Sequence, residues 1–350
     1  MNCCSECFSS ATVKDKINSN RSIGNCDFCN SKDIYVYNPK DLNLIFQNIL
    51  DLYILDRDNG KPIEEQIEAD FPNQIFSPKV KGARKALLQE IISDDFELFE
   101  EIFANDVLNV TKHSDSLEVS KPFLVTWEKF AEEIQTINRF HIKNLIDLNK
   151  LETLLSYYEK SIHIGKKYFR ARISALTGFP AHEMGNPPIN LAKPGRANPE
   201  GISYLYLSDE EITTLYETRA SLYDYVTVGE FRLKKDIKVV DLRGNSFDPV
   251  KLSSDTEGSL KEFLAYQPFT SELEKQLSKP KRRNDKELDY LPTQYLSEFI
   301  KSIGYEGVLF QSSLYEQGYN LAIFDPDLFE CINVKVCEVK KIDISHEPIP

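Results

Sequence analysis

Three side chains of different chemistry follow one another closely in this sequence: Arg196, Tyr206 and Glu217. Arg196 lies in a segment that Gly195 and Gly201 mark as a loop, and Tyr206 lies in a short apolar run. A cation on a flexible loop, a tyrosine at a strand end and a carboxylate on the next helix can converge on one small anionic ligand. The same spacing also fits an ordinary loop, strand and helix with a surface arginine, and on its own it favours that plainer interpretation.

The elements that would position these residues have sequence signals of their own. The apolar run at 202–207 predicts a short buried strand. Ser208 followed by Glu211 has the spacing of a capping box, which predicts a helix that begins at the next residue and covers 209–220. Glu217 would lie one step round from the side of this helix that carries Ile212, Leu215, Tyr216 and Arg219.

A second group of reactive residues lies near the start of the chain. Cys4, Cys7, Cys26 and Cys29 form two C-x-x-C pairs that are separated by eighteen residues. Each pair makes a tight turn that points two thiolates at one metal, and this spacing is typical of a zinc site. Four thiolates leave no open coordination position, so the expected Zn2+ is structural and folds the segment. Cys3 makes the register of the first pair ambiguous, and free thiols in a disordered tail are the alternative.

Composition limits the classes of protein to which the chain can belong. It has 350 residues, of which 41% are hydrophobic and 11% aromatic, which suits about two domains with real cores. The net charge of −13 disfavours nucleic-acid binding, and the basic run at 279–283 is expected to be a solvated loop. No apolar run reaches the roughly 18 residues of a membrane span, and the start lacks a signal-peptide pattern. We therefore expect a cytoplasmic protein that does not bind membranes.

The residue pattern changes twice along the chain and predicts a multi-domain protein. Residues 1–38 are polar and contain the four cysteines, so they form the expected zinc-binding knuckle segment. Residues 39–160 have apolar residues at helical spacing and predict an all-α helical bundle. The third long helical pattern of this bundle would start after Pro122, run with one break to about Tyr158, and bury His141 in its apolar stripe.

The remaining residues, 161–350, predict an α+β domain. Short β-branched or aromatic runs, bounded by turns, are typical of strands in such a domain. The predicted strands lie at 168–173, 202–207, 225–233, 237–242, 307–311, 320–324 and 329–339, and the predicted helices at 209–220 and 293–303.

Segments between about 165 and 340 resemble the RES domain family, with every landmark in order. The matching segments are 168–172, 183–188, 195–201, 205–208, 216–219, 290–296, 307–313 and 320–324. The family is named for an arginine, a glutamate and a serine, which fall here on Arg196, Glu217 and Ser312. RES domains resemble ADP-ribosyltransferases in fold and occur as bacterial toxins that consume NAD or transfer its ADP-ribose, often paired with an antitoxin. The resemblance therefore implies an ADP-ribosyltransferase-like fold and NAD+ as the substrate.

The resemblance also implies roles for individual residues. Arg196 offers a planar bidentate donor to the diphosphate of NAD+, and Tyr206 would stack on the nicotinamide or hydrogen-bond to it. Glu217 would accept from the ribose hydroxyls and stabilise positive charge at the anomeric carbon, or act as a base. Ser312 would position the ring or the ribose, and Arg170 is a second candidate phosphate ligand.

Neighbouring residues leave some of these assignments open. Ser313 is adjacent to Ser312, and Arg172 lies on the same face of the predicted strand as Arg170. His182 precedes the loop that carries Arg196 and could reach the site, although a surface histidine is the favoured interpretation.

The zinc segment and bundle resemble, more weakly, the HEPN-type region that precedes the RES domain in some larger bacterial proteins. HEPN ribonucleases carry an arginine and a histidine five positions apart on one helix. That pattern is missing, because Arg139 is followed at this offset by Asn144 and His141 is preceded by Thr136. The departure argues against RNA cleavage and favours a structural, regulatory or partner-binding role.

These observations predict an NAD+-degrading enzyme, either a glycohydrolase or a phosphorylase, that acts as a bacterial toxin or defence effector. One alternative is an ADP-ribosyltransferase that modifies a protein or another macromolecule. An alternative of another class is a non-catalytic module in which the zinc segment and bundle bind a partner. The expected partners are NAD+ and a cognate antitoxin or regulatory protein, and a homo-oligomer stays open.

Overall fold

The computed structural model describes residues 1–112, 127–143, 147–244, 247–255, 259–280 and 286–342. The chain divides into two compact units. The first consists of Met1–Leu124 and Phe247–Pro268, and the second of Val125–Ser246 and Phe269–Pro350. This division differs from the predicted boundaries at 38 and 160, because packing joins segments that are far apart in the sequence.

The helices and strands are numbered in chain order within the described residues. The helices are α1 (Ala11–Ser19), α2 (Asn43–Leu50), α3 (Ile63–Asp70), α4 (Arg84–Ile91), α5 (Phe96–Ala104), α6 (Trp127–Glu132), α7 (Leu148–Ser156), α8 (Glu211–Thr218), α9 (Pro249–Asp255), α10 (Ser259–Ser278) and α11 (Leu291–Ser302). The strands are β1 (Cys3–Cys4), β2 (Ile23–Gly24), β3 (Ile34–Tyr37), β4 (Tyr53–Leu55), β5 (Val107–Asn109), β6 (Glu159–Ile162), β7 (Lys167–Ser174), β8 (Leu205–Ser208), β9 (Tyr225–Leu233), β10 (Ile237–Asp241), β11 (Gly307–Gln311), β12 (Tyr319–Ile323) and β13 (Phe329–Glu338). None of these helices has the length and apolar character that a bilayer crossing requires.

The first unit is mainly helical, as the sequence predicts for the N-terminal region. Its core contains three phenylalanine rings, Phe8, Phe46 and Phe76, whose centroids lie 5.8–6.2 Å apart. The returning segment belongs to this unit because Asp248 Oδ2 accepts from Ser10 Oγ at 2.8 Å and α9 packs against α2. Nothing in the local sequence pattern marks that long-range contact, so the return was not predicted.

Two small antiparallel sheets accompany the helices of the first unit. One has the strand order β1-β3-β2, and the other pairs β4 with β5. The prediction of an all-α bundle over 39–160 is therefore wrong in this respect. The helical pattern that starts at α2 ends at Leu50, and Tyr53 instead pairs with Asn109 across the β4–β5 ladder.

The third predicted helical pattern, which allowed for one break, contains two described helices. The first is α6, which continues as one π-helical turn over Glu133–Ile137 and ends at Asn138, and the second is α7. His141 lies between them and is exposed, so the prediction of a buried histidine is wrong. The parts of the pattern at 123–126 and 144–146 lie outside the described residues.

The second unit contains a mixed sheet of eight described strands in the order β13-β9-β7-β8-β12-β11-β10-β6. Its neighbouring strands are antiparallel except for β10 and β11, which are parallel. Apolar side chains from most of these strands form one buried core, which includes Tyr168, Leu207, Phe231, Val239, Leu309 and Leu321. This arrangement confirms the predicted C-terminal α+β class.

The sheet opens between two of its inner strands, β7 and β8. They share one bridging pair, Phe169 with Ser208, whereas β7 pairs with β9 along its whole length. Beyond the bridge, the backbone N–H of Ala171 donates instead to Thr214 Oγ1 of α8 at 2.9 Å. The two strands therefore diverge, and the side chains that follow the bridge line a gap in the sheet.

Candidate functional site

A cavity of about 520 Å³ lies at the gap between β7 and β8. Its walls come from β7, the loop at 195–196, β8, α8, the C-terminal end of α10 and the ends of β11 and β12. Four of the predicted site residues line it, namely Arg170, Arg196, Tyr206 and Glu217. Residues that are far apart in the sequence thus share one cavity.

The charge of the cavity is opposite to that of the chain as a whole. The chain has a net charge of −13. Among the described lining residues, the basic ones are Arg170, Arg196, Arg219 and Lys279, and Glu217 is the acidic one. A cavity with this balance of side chains suits a ligand that carries negative charge along most of its length and a cationic or hydroxyl-bearing group at one place.

Glu217 is held by two hydrogen bonds on one carboxylate oxygen. Ser312 Oγ donates to Glu217 Oε1 at 2.6 Å, and Asn320 Nδ2 donates to the same oxygen at 2.8 Å. Within the described part of the chain, no hydrogen bond engages the second oxygen, Oε2. One oxygen therefore fixes the carboxylate, and the other can serve a ligand.

The face of α8 that points into the protein is not the side that carries Ile212 and Tyr216. Thr213 and Thr214 are buried, whereas Ile212 and Tyr216 are 40% and 42% exposed. Thr213 lies against Gly318, where an added Cβ would come within 2.1 Å of Thr213 Oγ1, so α8 needs this glycine for its close approach. Residues four apart share a helix face, and Glu217 therefore points inward with Thr213.

The predicted capping box is wrong. The helix begins at Glu211, its N-cap Glu210 makes no side-chain capping bond, and Ser208 ends β8 instead. Ser208 Oγ donates to Asn320 Oδ1 at 2.8 Å on the neighbouring strand. Glu211 pairs with Lys335 at 2.7 Å. Ser208 and Glu211 thus both bind residues of neighbouring strands, which the sequence spacing alone could not show.

The structure distinguishes Ser312 from its neighbour Ser313. Ser312 is buried and contacts Glu217, while its own Oγ accepts the backbone N–H groups of Leu314 and Tyr315 at 3.3 and 3.2 Å. Ser313 is exposed and lines the cavity directly. Ser312 thus acts on Glu217, and Ser313 is the serine that a ligand in the cavity would meet.

The loop that carries Arg196 is fixed by Asn198, a buried residue. Asn198 Nδ2 donates to the carbonyl oxygens of Lys193, Pro199 and Ile202 at 2.8–3.2 Å. Gly195 allows the loop to close, because a Cβ there would come within 2.4 Å of Asn198 Oδ1. The loop is thus held in one conformation and does not depend on a ligand for its shape.

Helix α11 supports the same loop from outside. Thr293 Oγ1 donates to the carbonyl oxygen of Arg196 at 2.6 Å, and Gln294 Nε2 donates to that of Gly195 at 2.8 Å. The guanidinium of Arg196 donates to the carbonyl oxygen of Gln276 at 2.9 Å and lies 4.9 Å from the ring centroid of Tyr290. Arg196 is therefore pre-positioned at the cavity wall.

Tyr206 uses its hydroxyl to hold the Arg196 loop. The hydroxyl donates to Asn198 Oδ1 at 2.7 Å and accepts the backbone N–H of Ala197 at 3.3 Å. Burial raises the pKa of Tyr206 to about 12, so the hydroxyl stays protonated at neutral pH. The hydroxyl of Tyr206 is thus engaged by the loop, and Tyr206 also lines the cavity.

Arg170 is a lining cation that keeps an unused hydrogen-bond donor. Its Nη1 is buried and has no hydrogen-bond partner among the described residues. Burial, together with the nearby Arg172, lowers the pKa of Arg170 to about 10. A buried cation without a counter-charge is costly, and an anionic ligand would remove that cost.

Arg172 has other partners, although it lies on the same strand. It donates to the carbonyl oxygen of Glu183 and lies 4.1 Å from the ring centroid of Phe179. It is not among the residues that line the cavity. His182, the other open assignment, has an exposed side chain beside Glu183, which agrees with the favoured interpretation of a surface histidine.

Sequence reasoning missed several residues of the site. Arg219 lines the cavity from the left-handed end of α8, with φ 51°, a conformation that is uncommon outside glycine. Lys279, which the sequence assigned to a solvated loop, is exposed but also lines the cavity, and 281–283 of that basic run lie outside the described residues. Asn320 had one visible signal, a polar residue within the apolar run of β12.

The four cysteines of the two C-x-x-C pairs lie together in the first unit. Their sulfur atoms all lie within 4.8 Å of one another, and Cys4 Sγ is 3.9 Å from Cys7 Sγ and 3.4 Å from Cys29 Sγ. Four sulfurs around a zinc ion at ~2.3 Å would lie about 3.8 Å apart, so the thiol cluster could hold such an ion. Backbone N–H groups of Phe28 and Cys29 point at Cys26 Sγ, as in a metal knuckle.

Cys3 lies outside this cluster and so resolves the register. It is fully buried, and its Sγ lies 3.5 Å from the carbonyl oxygen of Tyr37. The thiol cluster contains Cys4 instead, together with Cys7, Cys26 and Cys29.

Comparison with known proteins places the C-terminal half in a family. The RES domain model matches residues 167–345. A chain in the crystal structure of the M. tuberculosis MbcT-MbcA toxin-antitoxin complex is similar with 12% identity and a TM-score of 0.30, over 55% of this chain and 94% of that chain. No curated protein sequence matches. Because the matched residues make up more than half of the sequence, the chain belongs to the RES domain family.

Proposed function

We propose that the cavity binds NAD+ and that the protein cleaves its nicotinamide–ribose bond, as a glycohydrolase or a phosphorylase. The observation that carries the proposal is the state of Glu217. One of its oxygens is fixed by Ser312 and Asn320, while the other is left for a ligand in a cavity whose other charged lining residues are cations. NAD+ has the matching parts, because its diphosphate is anionic and its nicotinamide ribose offers hydroxyl groups and develops positive charge during cleavage.

Arg170 and Arg196 are the proposed ligands of the diphosphate. Arg170 brings a buried Nη1 that lacks a hydrogen-bond partner among the described residues, and a phosphate oxygen would supply one. Arg196 sits on a loop whose conformation is already fixed, so little ordering would be needed on binding. The cavity, at about 520 Å³, falls in the usual range of small-molecule sites, about 300–1,000 Å³.

The cleavage step needs little from the protein beyond charge and position. The bond between the nicotinamide nitrogen and C1′ of the ribose breaks, and its electron pair leaves with the nicotinamide, whose ring becomes neutral. The positive charge that develops at C1′ and the ring oxygen is stabilised by the carboxylate of Glu217. Water then attacks C1′ and loses a proton, which yields ADP-ribose, whereas attack by phosphate yields ADP-ribose 1″-phosphate.

The other residues of the site would position Glu217 and the nicotinamide ring. Ser312 holds Glu217, Ser313 can meet the ligand, and the ring of Tyr206 offers an aromatic face for the nicotinamide. The ring is held in place because its hydroxyl is bound by the Arg196 loop. The predicted roles of Arg196, Tyr206 and Glu217 are thus compatible with one bound molecule of NAD+.

We also propose that the thiol cluster binds one structural Zn2+. The donor set supports this, because four cysteine sulfurs converge and the backbone N–H groups of Phe28 and Cys29 can stabilise thiolate charge. A closed set of four thiolates supplies folding energy and no catalytic position. The ion would hold the N-terminal segment of the first unit and would take no part in the cleavage.

The biological role that membership of the RES family supports best is that of a bacterial toxin or defence effector with a cognate antitoxin or regulatory partner. The first unit, with its zinc segment and HEPN-like helical region, is proposed to serve regulation or partner binding. Its lack of the paired arginine and histidine of HEPN ribonucleases supports a role other than RNA cleavage.

The direct test is incubation of the purified chain with NAD+ labelled in its ADP-ribose portion, with and without phosphate. We expect loss of NAD+ and free labelled product. Glu217→Gln should slow this loss at least about 100-fold. Glu210→Gln, a matched change at an exposed position at the start of α8, should leave the rate unchanged.

The products separate the candidate reactions. Free ADP-ribose indicates hydrolysis, and a phosphate-dependent product indicates phosphorolysis. Label that stays on protein or another macromolecule would replace the proposal with ADP-ribosyl transfer. If NAD+ stays intact and no label moves, the enzymatic proposal is wrong and the non-catalytic binding module takes its place.

A further inference from the structure

Ser208, Asn320 and Glu217 form a chain of hydrogen bonds at the cavity wall. Ser208 Oγ donates to Asn320 Oδ1 at 2.8 Å, and Asn320 Nδ2 donates to Glu217 Oε1 at 2.8 Å. Ser208 and Asn320 are direct cross-strand partners in the antiparallel pair of β8 and β12. They are 3% and 8% exposed, respectively, so neither can exchange its partner for bulk water.

The two hydrogen bonds run in one direction, from Ser208 through Asn320 to Glu217. The carboxylate of Glu217 can only accept hydrogen bonds, so the amide of Asn320 turns its N–H toward it. The amide oxygen then faces Ser208, whose hydroxyl donates to it. Asn320 is therefore held from both sides, by Glu217 and by Ser208.

The other partner of Glu217 is fixed in the same way. Ser312 Oγ accepts the backbone N–H groups of Leu314 and Tyr315, so its own hydrogen is left to donate to Glu217 Oε1. Two donors that are each held by further hydrogen bonds thus meet on one oxygen. A carboxylate on a helix has several rotatable bonds, and two fixed contacts leave it little freedom.

We propose that Ser208 and Asn320 are positioning residues that act through Glu217. This inference rests on the proposed cleavage of NAD+. The pair holds the carboxylate so that Oε2 meets the nicotinamide ribose as positive charge develops there. A stabilising group that is already in place when the charge forms raises the rate, whereas one that must reorganise raises it less. The pair should therefore affect kcat much more than KM.

The test measures kcat and KM for NAD+ in Ser208→Ala and Asn320→Leu. A hydrogen bond to a charged group contributes enough free energy that its loss lowers a rate by about 10- to 100-fold. We therefore expect Asn320→Leu to lower kcat by this factor and to leave KM within about twofold of the wild-type value. Ser208→Ala should lower kcat less, because Asn320 can still donate part of the time. Ser297→Ala is the matched control, since Ser297 is a buried serine of α11 that does not line the cavity, and it should leave both constants unchanged.

A double variant separates positioning from a general structural role. In a Glu217→Gln background, single-turnover rates should fall less than about twofold when Asn320→Leu is added, because the residue through which it acts is already changed. A loss as large as in the wild-type background overturns the inference, and so does a change confined to KM. If Asn320→Leu does not fold, Ser208→Ala is combined with Glu217→Gln and decides by the same comparison.

The inference and the proposed function fail in different ways. A wild-type chain that leaves NAD+ intact overturns both. A wild-type chain that consumes NAD+, together with full-rate Asn320→Leu and Ser208→Ala variants, overturns the inference and leaves the proposed function standing.

Discussion

The thiol cluster and the cavity are built in opposite ways. The thiol cluster takes its four sulfurs from two short sequence motifs, and all four point at one another. The cavity draws on residues from Arg170 to Asn320, and it keeps polar atoms that the described residues leave unused, such as Arg170 Nη1. In the thiol cluster, all four potential ligand atoms face one another. In the cavity, some polar atoms have no partner among the described residues.

This difference indicates which of the two supports folding and which supports chemistry. A site in which all ligand atoms converge can bind one ion and has no open position for another ligand. The free energy of binding that ion therefore stabilises the fold. Buried groups without partners cost stability and persist where a ligand or a reaction uses them. Changes in the thiol cluster should therefore lower stability without lowering the rate, and changes in the cavity should lower the rate without lowering stability.

The largest effect should come from the thiol cluster. Metal analysis of the purified chain should find about one zinc ion per molecule, and Cys4→Ala should abolish it and lower thermal stability sharply, because a structural zinc contributes on the order of 10 kcal/mol. Any soluble Cys4→Ala protein should keep the kcat of the wild type. Cys3→Ala, at the neighbouring buried position outside the thiol cluster, should keep the metal. Loss of zinc in Cys3→Ala with retention in Cys4→Ala would show that the register is wrong.

The next effect concerns Arg170, measured as kcat/KM for NAD+. Arg170→Met should lower kcat/KM by about 10- to 100-fold, because it removes a charge-assisted contact to the diphosphate. Arg172→Met is the matched control on the same strand. Since Arg172 is occupied by Glu183 and Phe179, that substitution should leave kcat/KM near the wild-type value. Equal losses in the two variants would contradict the assignment.

The effects of Arg170→Met and Arg172→Met on the free energy of unfolding should be opposite to their effects on kcat/KM. Burial, then Arg172, lowers the pKa of Arg170 to about 10, which means that its charge is carried at a cost in the folded state below that pH. Arg170→Met removes the cost and should raise the free energy of unfolding at pH 7 by about 1 to 3 kcal/mol. Arg172→Met loses partners instead and should be less stable, which thermal unfolding of both variants checks.

A smaller effect is expected where α8 meets the hairpin between β11 and β12. Gly318→Ala would place a Cβ 2.1 Å from Thr213 Oγ1, so α8 must shift and carry Glu217 away from Ser312. We expect a loss of about 1 to 3 kcal/mol in stability and a several-fold fall in kcat. Gly185→Ala, at a glycine with no heavy atom within 4 Å of an added Cβ, should change neither. An unaltered kcat in Gly318→Ala would show that the position of α8 does not control Glu217.

The sequence predicted best where local pattern and long-range partner agree. The strands predicted at 225–233 and 307–311 coincide with β9 and β11, because their β-branched and aromatic runs pair along most of their length. The thiol cluster was also predictable, since both of its motifs are short and their spacing is typical of a zinc site.

The sequence predicted worst where a side chain serves a partner far along the chain. Ser208 has the spacing of a cap but donates to Asn320 across the sheet, and a cross-strand partner is invisible until the register is known. The inner face of α8 carries polar residues whose partners are equally invisible in the local pattern: Thr214 accepts from the backbone of β7, and Glu217 accepts from Ser312 in the hairpin. The return of α9 to the first unit likewise depends on Asp248 meeting Ser10.

The central claim is that one cavity binds NAD+ with its diphosphate at the cations and its nicotinamide ribose at Glu217. A crystal structure of Glu217→Gln with NAD+ tests this most directly, because the substitution keeps the shape of the site and slows cleavage. We expect the diphosphate in contact with the guanidinium of Arg170, and a ribose hydroxyl about 3 Å from the side chain at position 217. NAD+ bound outside the cavity, or inside it with the nicotinamide ribose remote from position 217, would contradict the account.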